Sequence, residues 1–230
     1  VAPWTGWIRR VGGLLAIAFA SALLALAVEK PLARPSLGLA PAHFPERGVA
    51  FVQGLPDEVR LQGNMFNEFG YGGYLIFHLS PQYRVFVDGR TDLLYSSEHI
   101  EASVHALTDS ATFERLVKQH RVEWALLDNA PHLGRRVHFD ANPAWRLVHA
   151  SRRALLYVRE DGPNHQLARQ RGYQWLWAHD LDGSIARAAA HGNGRAAVEE
   201  LRRMLAEDPD NVYALSALAR LSSRLDVPVQ

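Results

Sequence analysis

An uncharged apolar run near the amino end limits most strongly what this chain can fold into. Residues Val11–Val28 are 18 consecutive positions without a charged side chain. A helix needs roughly 17 to 25 apolar residues to cross a hydrocarbon core about 30 Å thick. Trp4 and Trp7 precede the run, where an interfacial aromatic belt is expected. The run therefore predicts a transmembrane anchor over residues 1–30.

A cleaved signal peptide is the competing interpretation of the same run. Arg9-Arg10 has the character of a charged n-region, and Ala25-Leu26-Ala27 resembles an A-x-A cleavage site. The anchor is favoured and the signal peptide stays open. As an anchor, the run carries small residues at near i, i+4 spacing that would let it pack against another helix, namely Gly12, Gly13, Ala16 and Ala20.

The composition excludes several kinds of function. The chain has 25 Lys and Arg residues against 24 Asp and Glu residues, so its net charge of +1 gives no field that would hold nucleic acid. The absence of cysteine excludes disulfides, thiolate metal sites and cysteine nucleophiles. The 11 histidines show no H-E-x-x-H or other ligand spacing, so we expect no metal and no cofactor.

The middle of the chain has the pattern of a small α/β domain on a tether. Four prolines predict an extended tether over residues 31–45, and residues 46–160 then alternate short apolar runs with helical periods. Strands separated by helices favour a mostly parallel sheet covered on both faces, a three-layer α/β domain. The expected strands are Leu61–Asn67, Tyr83–Asp88 and Val122–Asp128, the expected helices are Tyr74–Leu79, Ser97–Leu107 and Thr112–His120, and the closing hairpin is Trp145–Ala150 with Ala154–Arg159.

Three glycines lie between a predicted strand and a predicted helix. Backbone amides at Gly70, Gly72 and Gly73 could hold a phosphate there. The spacing matches neither the dinucleotide fingerprint nor a Walker motif. Packing in a tight turn is therefore the favoured interpretation of these glycines.

A charged triplet follows the second predicted strand. Asp88, Arg90 and Asp92 lie at the carboxyl end of that strand, the edge where open α/β sheets bind ligands. These residues form either a polar ligand site or a local salt bridge that closes a turn. The salt bridge is favoured because no second component of a site is identified.

Residues 70–95 also carry a resemblance to a known family. The strings GYGGYLIFHLSP and RVFVDGRTDLLY resemble a segment in the soluble C-terminal region of bacterial polytopic membrane proteins related to dolichyl-phosphate-mannose-type glycosyltransferases. The resemblance covers about residues 60 to 160 and implies a periplasmic α/β module on a membrane stalk, often followed by tetratricopeptide units. The family's catalytic acids lie in loops between early membrane helices, and this chain has one predicted span, so no catalytic residue transfers.

The last part of the chain, residues 161–230, is predicted to be almost entirely helical. Asn164 is a plausible N-cap, and breaks are expected at Asp182-Gly183 and Gly192–Gly194. Residues 192–221 resemble one tetratricopeptide unit, so we expect helical hairpins that dock on another surface, because one repeat cannot bury its face alone. Trp175 and Trp177 are candidate partner-binding residues, since tryptophan is enriched at binding hot spots.

These observations favour a non-enzymatic accessory or scaffold subunit that braces a larger membrane protein complex. It would be a single-pass protein of the bacterial inner membrane with its bulk in the periplasm, and its partners would be the membrane and other membrane subunits. Basic residues flank the span evenly, so this orientation depends on the resemblance. The alternative is the soluble part of a lipid-linked-sugar glycosyltransferase or a sugar-phosphate-binding module, in which Asp88 and Arg90 contact the ligand.

Overall fold

A computed structural model of the chain describes residues 43–129 and 137–225. The predicted anchor, with Gly12, Gly13, Ala16 and Ala20, and most of the predicted tether lie outside these residues. Within the described ranges, no helix combines the length and apolarity that a membrane crossing requires.

The described residues form a mixed α/β structure with four strands. The strands are β1 (Asn64–Asn67), β2 (Val122–Leu127), β3 (Trp145–Ala150) and β4 (Leu155–Arg159). The helices are α1 (Glu46–Gln53), α2 (Gly72–Leu79), α3 (Ser97–His105), α4 (Ser110–His120), α5 (Val137–Ala141), α6 (His165–Arg171), α7 (Leu181–Ala190), α8 (Gly194–Glu207) and α9 (Val212–Leu225). The α/β class predicted from the sequence is confirmed.

The sheet is mixed, whereas the sequence predicted a mostly parallel one. Its strand order is β1-β2-β4-β3, in which β1 and β2 are parallel and the other two pairings are antiparallel. The predicted hairpin is confirmed as β3 and β4, and it places β4 directly beside β2. The parallel part of the sheet is therefore a single pair, joined by a crossover through α2, α3 and α4.

The predicted strand Tyr83–Asp88 is absent from the sheet, and the Asn67 side chain gives the reason. The Asn67 amide nitrogen donates to the carbonyls of Val87 and Glu68, at 2.8 Å each. The amide oxygen accepts from the backbone N–H of Phe86 at 2.7 Å. This fully buried amide thus takes the place of ladder hydrogen bonds for the segment around Phe86 and Val87.

Alternation along the central strands divides the core into two parts. Ala125 and Leu127 of β2 contribute to the part that α4, α5 and the C-terminal helices cover. Trp124 and Leu126 contribute to the other part, which α1, α2 and α6 cover. Both parts are apolar and closely packed, and complete burial of each large side chain contributes about 1.5 to 3 kcal/mol.

The C-terminal helices follow the prediction in part. The break expected at Gly192–Gly194 is confirmed, and residues 208–211 form the turn between α8 and α9. The break predicted at Asp182-Gly183 is wrong, because the Asp180 side chain caps α7 by accepting from the Gly183 N–H at 3.0 Å. The chain between α6 and α7 is not helical, contrary to the prediction that residues 161–230 are almost entirely helical.

Asn164 precedes α6 as expected but does not cap it with its side chain. Its amide instead bonds both backbone groups of Gln62, at 2.8 and 3.0 Å, and the carbonyl of Glu123. The Asn164 side chain therefore does not cap α6 but hydrogen-bonds the start of α6 to the loop that leads into β1.

Gly72 lies where α2 meets the segment that carries Asp88. A Cβ atom on Gly72 would collide with the Val87 carbonyl oxygen and with Cα and Cβ of Asp88. Gly73, one residue later in the same helix, has no such neighbour within 4 Å. The backbone of α2 therefore approaches the Asp88 segment closely at Gly72 but not at Gly73.

We expect Gly72→Ala to lower the free energy of unfolding by about 1 to 3 kcal/mol, the usual cost of overpacking a fixed neighbour. Gly73→Ala is the matched control and should be neutral or stabilising by up to about 1 kcal/mol, since alanine is the better helix former. Urea unfolding of both variants measures the difference. Equal stability of the two variants would contradict the close approach.

Candidate functional site

Asp88 and Arg90 form the centre of the predicted site, and the structure brings them together. Oδ1 of Asp88 accepts from the Arg90 backbone N–H at 2.9 Å and from Arg90 Nε at 2.8 Å. Oδ2 accepts from Arg90 Nη2 at 2.8 Å and from the Tyr95 hydroxyl at 2.7 Å. An ionised carboxylate has about four acceptor positions, so these bonds fill those of Asp88.

The hydrogen bonds of this cluster shift two proton equilibria. Bonding to the Arg90 guanidinium holds the pKa of Asp88 well below its usual range, despite burial of the carboxyl group. Burial, together with the bond to Asp88, raises the pKa of Tyr95 to about 12. Near neutral pH Asp88 is therefore ionised and Tyr95 is neutral. Neither group has the pKa that general acid or base catalysis favours.

Two further side chains fix the surroundings of Asp88. The His99 ring lies nearly parallel to the Tyr95 ring, with centroids 5.4 Å apart, and its Nε2 is 3.0 Å from the Phe86 carbonyl oxygen. The Phe86 ring packs on His99 at a centroid distance of 4.6 Å. Tyr95 and His99 thus tie the end of the Asp88 turn back to its beginning.

The turn after Arg90 holds an unusual backbone conformation and displays apolar side chains. Thr91 has a φ of 25°, which a β-branched residue rarely adopts. The next 3₁₀ turn, Thr91–Leu93, places Leu93 in solvent with 85% of its surface exposed. Asp92 belongs to this turn, but its side chain lies outside the described part of the structure, so its predicted role stays a prediction.

The three glycines predicted to hold a phosphate have different environments. Gly72 is buried against the Asp88 segment, so its backbone is not open to a ligand. Gly70 and Gly73 are exposed and have open space where a Cβ would lie. The packing role favoured for the glycine turn is thus that of Gly72, while Gly70 and Gly73 face solvent.

Trp175 and Trp177, the candidate partner-binding residues, are both half-buried. Trp175 packs on the core beside the C-terminal helices. Trp177 has the Arg187 guanidinium over its ring, 4.2 Å from the centroid. Intramolecular contacts thus account for much of the surface of both tryptophans.

Sequence reasoning missed a second polar cluster, at the carboxyl ends of β1 and β2. Glu68 follows β1 and accepts through Oε1 from the backbone N–H of Asp128, which follows β2. Asp128 in turn accepts from Arg153 Nη2 at 2.8 Å, and the Tyr71 hydroxyl donates to the Arg153 carbonyl. Acidic residues directly after two parallel strands were the available signal, because such strands end at one edge of the sheet.

This second cluster is buried and internally bonded. Glu68 and Asp128 have exposed fractions of 8% and 4%. Burial, followed by the nearby charge of Asp128, raises the pKa of Tyr71 far above its usual value. The cluster closes the edge of the sheet where Gly72 and Asp88 also lie.

Comparisons with known proteins and a search for metal ligands add no assignment. The chain matches no protein-family model, no curated protein and no solved structure. Among the described residues, no group of three or more His, Asp or Glu side chains could hold a metal ion. The family resemblance thus remains an expectation from the sequence.

We expect the stability supplied by Asp88 to depend on pH. Because the folded-state pKa lies below the ordinary value of about 3.9, this stability is present above that value and is lost as pH falls through the folded-state pKa. Asp88→Asn should lower the free energy of unfolding by about 2 kcal/mol at neutral pH, and the difference from wild type should shrink below about pH 4.

Urea unfolding at neutral pH and near pH 3 measures this difference. Asp57→Asn is the matched control, because Asp57 pairs with Arg60 on the exposed surface and such pairs contribute little. A difference between wild type and Asp88→Asn that stays constant over this pH range would contradict the role of the ionised carboxylate.

Proposed function

We propose that the chain is a membrane-anchored, extracytoplasmic accessory subunit that braces a larger membrane protein complex. In this proposal residues 1–30 are the anchor, a three-layer α/β domain stands on the tether, and the C-terminal helices are tetratricopeptide-like hairpins. The location is the periplasmic side of a bacterial inner membrane. The observation that carries the proposal is an apolar surface around the Asp88 cluster.

This apolar surface consists of four exposed side chains, Phe69, Phe77, Leu93 and Leu94. Their exposed fractions are 36%, 81%, 85% and 57%. The elements that carry them are linked by packing, since α3 contacts both the turn at Phe69 and the turn at Leu93, and the first of these turns contacts α2. Several large apolar side chains exposed on elements that pack against one another favour an interaction surface here.

The polar cluster around Asp88 has the properties of a support for this surface. Asp88 is saturated by Arg90 and Tyr95, and its bonds span the turn that displays Leu93 and Leu94. A carboxylate with filled acceptor positions and a lowered pKa has little capacity left for a sugar phosphate or a proton. This favours the accessory role over the sugar-phosphate alternative at Asp88 and Arg90.

The surface also lies close to where the tether joins the domain. Phe44, the second described residue, stacks on Tyr74 of α2 with ring centroids 5.0 Å apart. Phe77 is three residues further along the same helix and points into solvent. Helix α2 thus contacts the last residues of the predicted tether and also carries an exposed apolar side chain.

We expect the double variant Phe77→Ser, Leu93→Ser to lose its membrane partners while keeping its fold. Each exposed apolar side chain of this size contributes about 1 to 2 kcal/mol to binding when a partner buries it. Recovery of the partner proteins should therefore fall about tenfold or more. The measurement is quantitative mass spectrometry of proteins that co-purify with the full chain in mild detergent.

The matched control is Val212→Ser, Leu215→Ser, which removes two exposed apolar side chains from α9. This control should recover the same proteins as wild type. Thermal unfolding should show that all three proteins are folded. Unchanged recovery with the Phe77 and Leu93 variant would overturn the assignment of the surface.

A further inference from the structure

A separate polar cavity lies beside the first turn of helix α1. It is formed by the start of α1, the β3–β4 turn and the α8–α9 turn, and its volume is about 180 Å³. Its lining consists mainly of charged side chains, with Arg47, Arg152 and Arg153 together with Glu46, Asp208 and Asp210.

Two contacts hold the walls of this cavity together. Gly48 of α1 packs so closely on the β3–β4 turn that a Cβ on it would lie 2.6 Å from the Ala154 Cβ. The backbone N–H of Arg152 donates to Oδ2 of Asp208 at 2.6 Å, which joins the hairpin to the α8–α9 turn. The arginines of α1 and of the hairpin are therefore brought to one cavity by the fold itself.

The three arginines are not equally engaged. Arg153 is paired with Asp128. Among the described residues, the side chains of Arg47 and Arg152 have no ion pair, and the buried Nε atoms of Arg152 and Arg153 both lack a hydrogen-bond acceptor. A buried guanidinium donor without an acceptor is costly, and planar guanidinium groups match the geometry of oxyanions.

The start of α1 adds further donors at the same place. The first helical bond of α1 runs from the Val49 N–H to the Pro45 carbonyl, and Pro45 supplies no side-chain cap. The preceding backbone N–H groups, including those of Glu46 and Arg47 in the lining, have no acceptor within the helix. N–H groups at the start of a helix favour a bound anion, so they add to the donors that the arginine side chains supply.

The carboxylates in the lining narrow the choice of anion. Asp208 is buried and accepts from Arg152, whereas Glu46 and Asp210 are exposed to water. A hydrogen phosphate group accepts from arginine through its oxygens and can donate through its P–OH to a carboxylate. Sulfate near neutral pH has no proton to donate, so carboxylates in the lining repel it.

We propose that this cavity is a binding site for a phosphate group, held by Arg47, Arg152 and the first turn of α1. The phosphate belongs either to a free inorganic anion or to the headgroup of a phosphomonoester lipid. This site is independent of the accessory role, because it uses neither Asp88 nor the apolar surface.

Isothermal titration calorimetry tests the site. The full chain in zwitterionic detergent is titrated with inorganic phosphate, and sulfate at equal ionic strength is the comparison. Arg47→Gln and Arg152→Gln should each weaken phosphate binding about tenfold, the loss expected for one charge-assisted contact. Arg47 is exposed and unpaired among the described residues, so its variant should fold normally. The matched control is Arg84→Gln, an exposed arginine outside the lining, which should bind like wild type.

A second arm distinguishes the two sources of the phosphate. The full chain is placed in phosphatidylcholine nanodiscs with or without phosphatidic acid, and thermal unfolding is recorded. Binding of inorganic phosphate that requires Arg47 supports a free anion. Stabilisation by phosphatidic acid alone, again requiring Arg47, supports a lipid headgroup. The proposal is overturned if neither probe acts, if sulfate acts as strongly as phosphate, or if Arg84→Gln weakens the effect as much as Arg47→Gln.

Discussion

The buried amide of Asn67 is the interaction on which the polar part of this structure depends. It stands at the end of β1 and bonds the backbone of Phe86 and Val87, a segment that joins no strand ladder. Without these bonds, buried backbone groups of that segment would lack partners, which costs about 1 to 3 kcal/mol per group. Asp88 follows directly, so the amide also sets the position of the charged turn.

The features around Asp88 follow from that placement. Gly72 lets α2 approach the segment that ends at Asp88. Asp88 then accepts hydrogen bonds from Arg90 and Tyr95. The turn beyond them exposes Leu93 and Leu94. A polar network that is fully satisfied is rigid, which suits the support of a binding surface better than chemistry at the carboxylate.

Sequence patterns predicted the elements better than their pairing. Short, nearly continuous apolar runs located β2 and the β3–β4 hairpin, since these strands are buried on both faces of the sheet. The run at Tyr83–Asp88 has the same apolar character as a strand, but pairing is decided by neighbours distant in the chain, here Asn67. Likewise, the residue types of Asp182-Gly183 predict a helix break. The two residues instead lie in the first turn of α7, which the Asp180 side chain caps.

The site was predictable in its local parts and not in its remote ones. Asp88 and Arg90 are two residues apart, so a salt bridge within the turn could be expected from spacing alone. Glu68, Asp128 and Arg153 are far apart in sequence, and their meeting depends on the parallel pairing of β1 with β2 and on the hairpin. The same holds for Arg47 and Arg152, which a close approach at Gly48 brings to one cavity.

Amide hydrogen exchange at Phe86 tests most directly whether Asn67 holds the Asp88 segment. In wild type the Phe86 N–H should be protected although it belongs to no strand. In Asn67→Ala its exchange should be faster by about tenfold or more, while the amides of β2 and β4 keep their protection. Equal protection of Phe86 in wild type and variant would contradict the account.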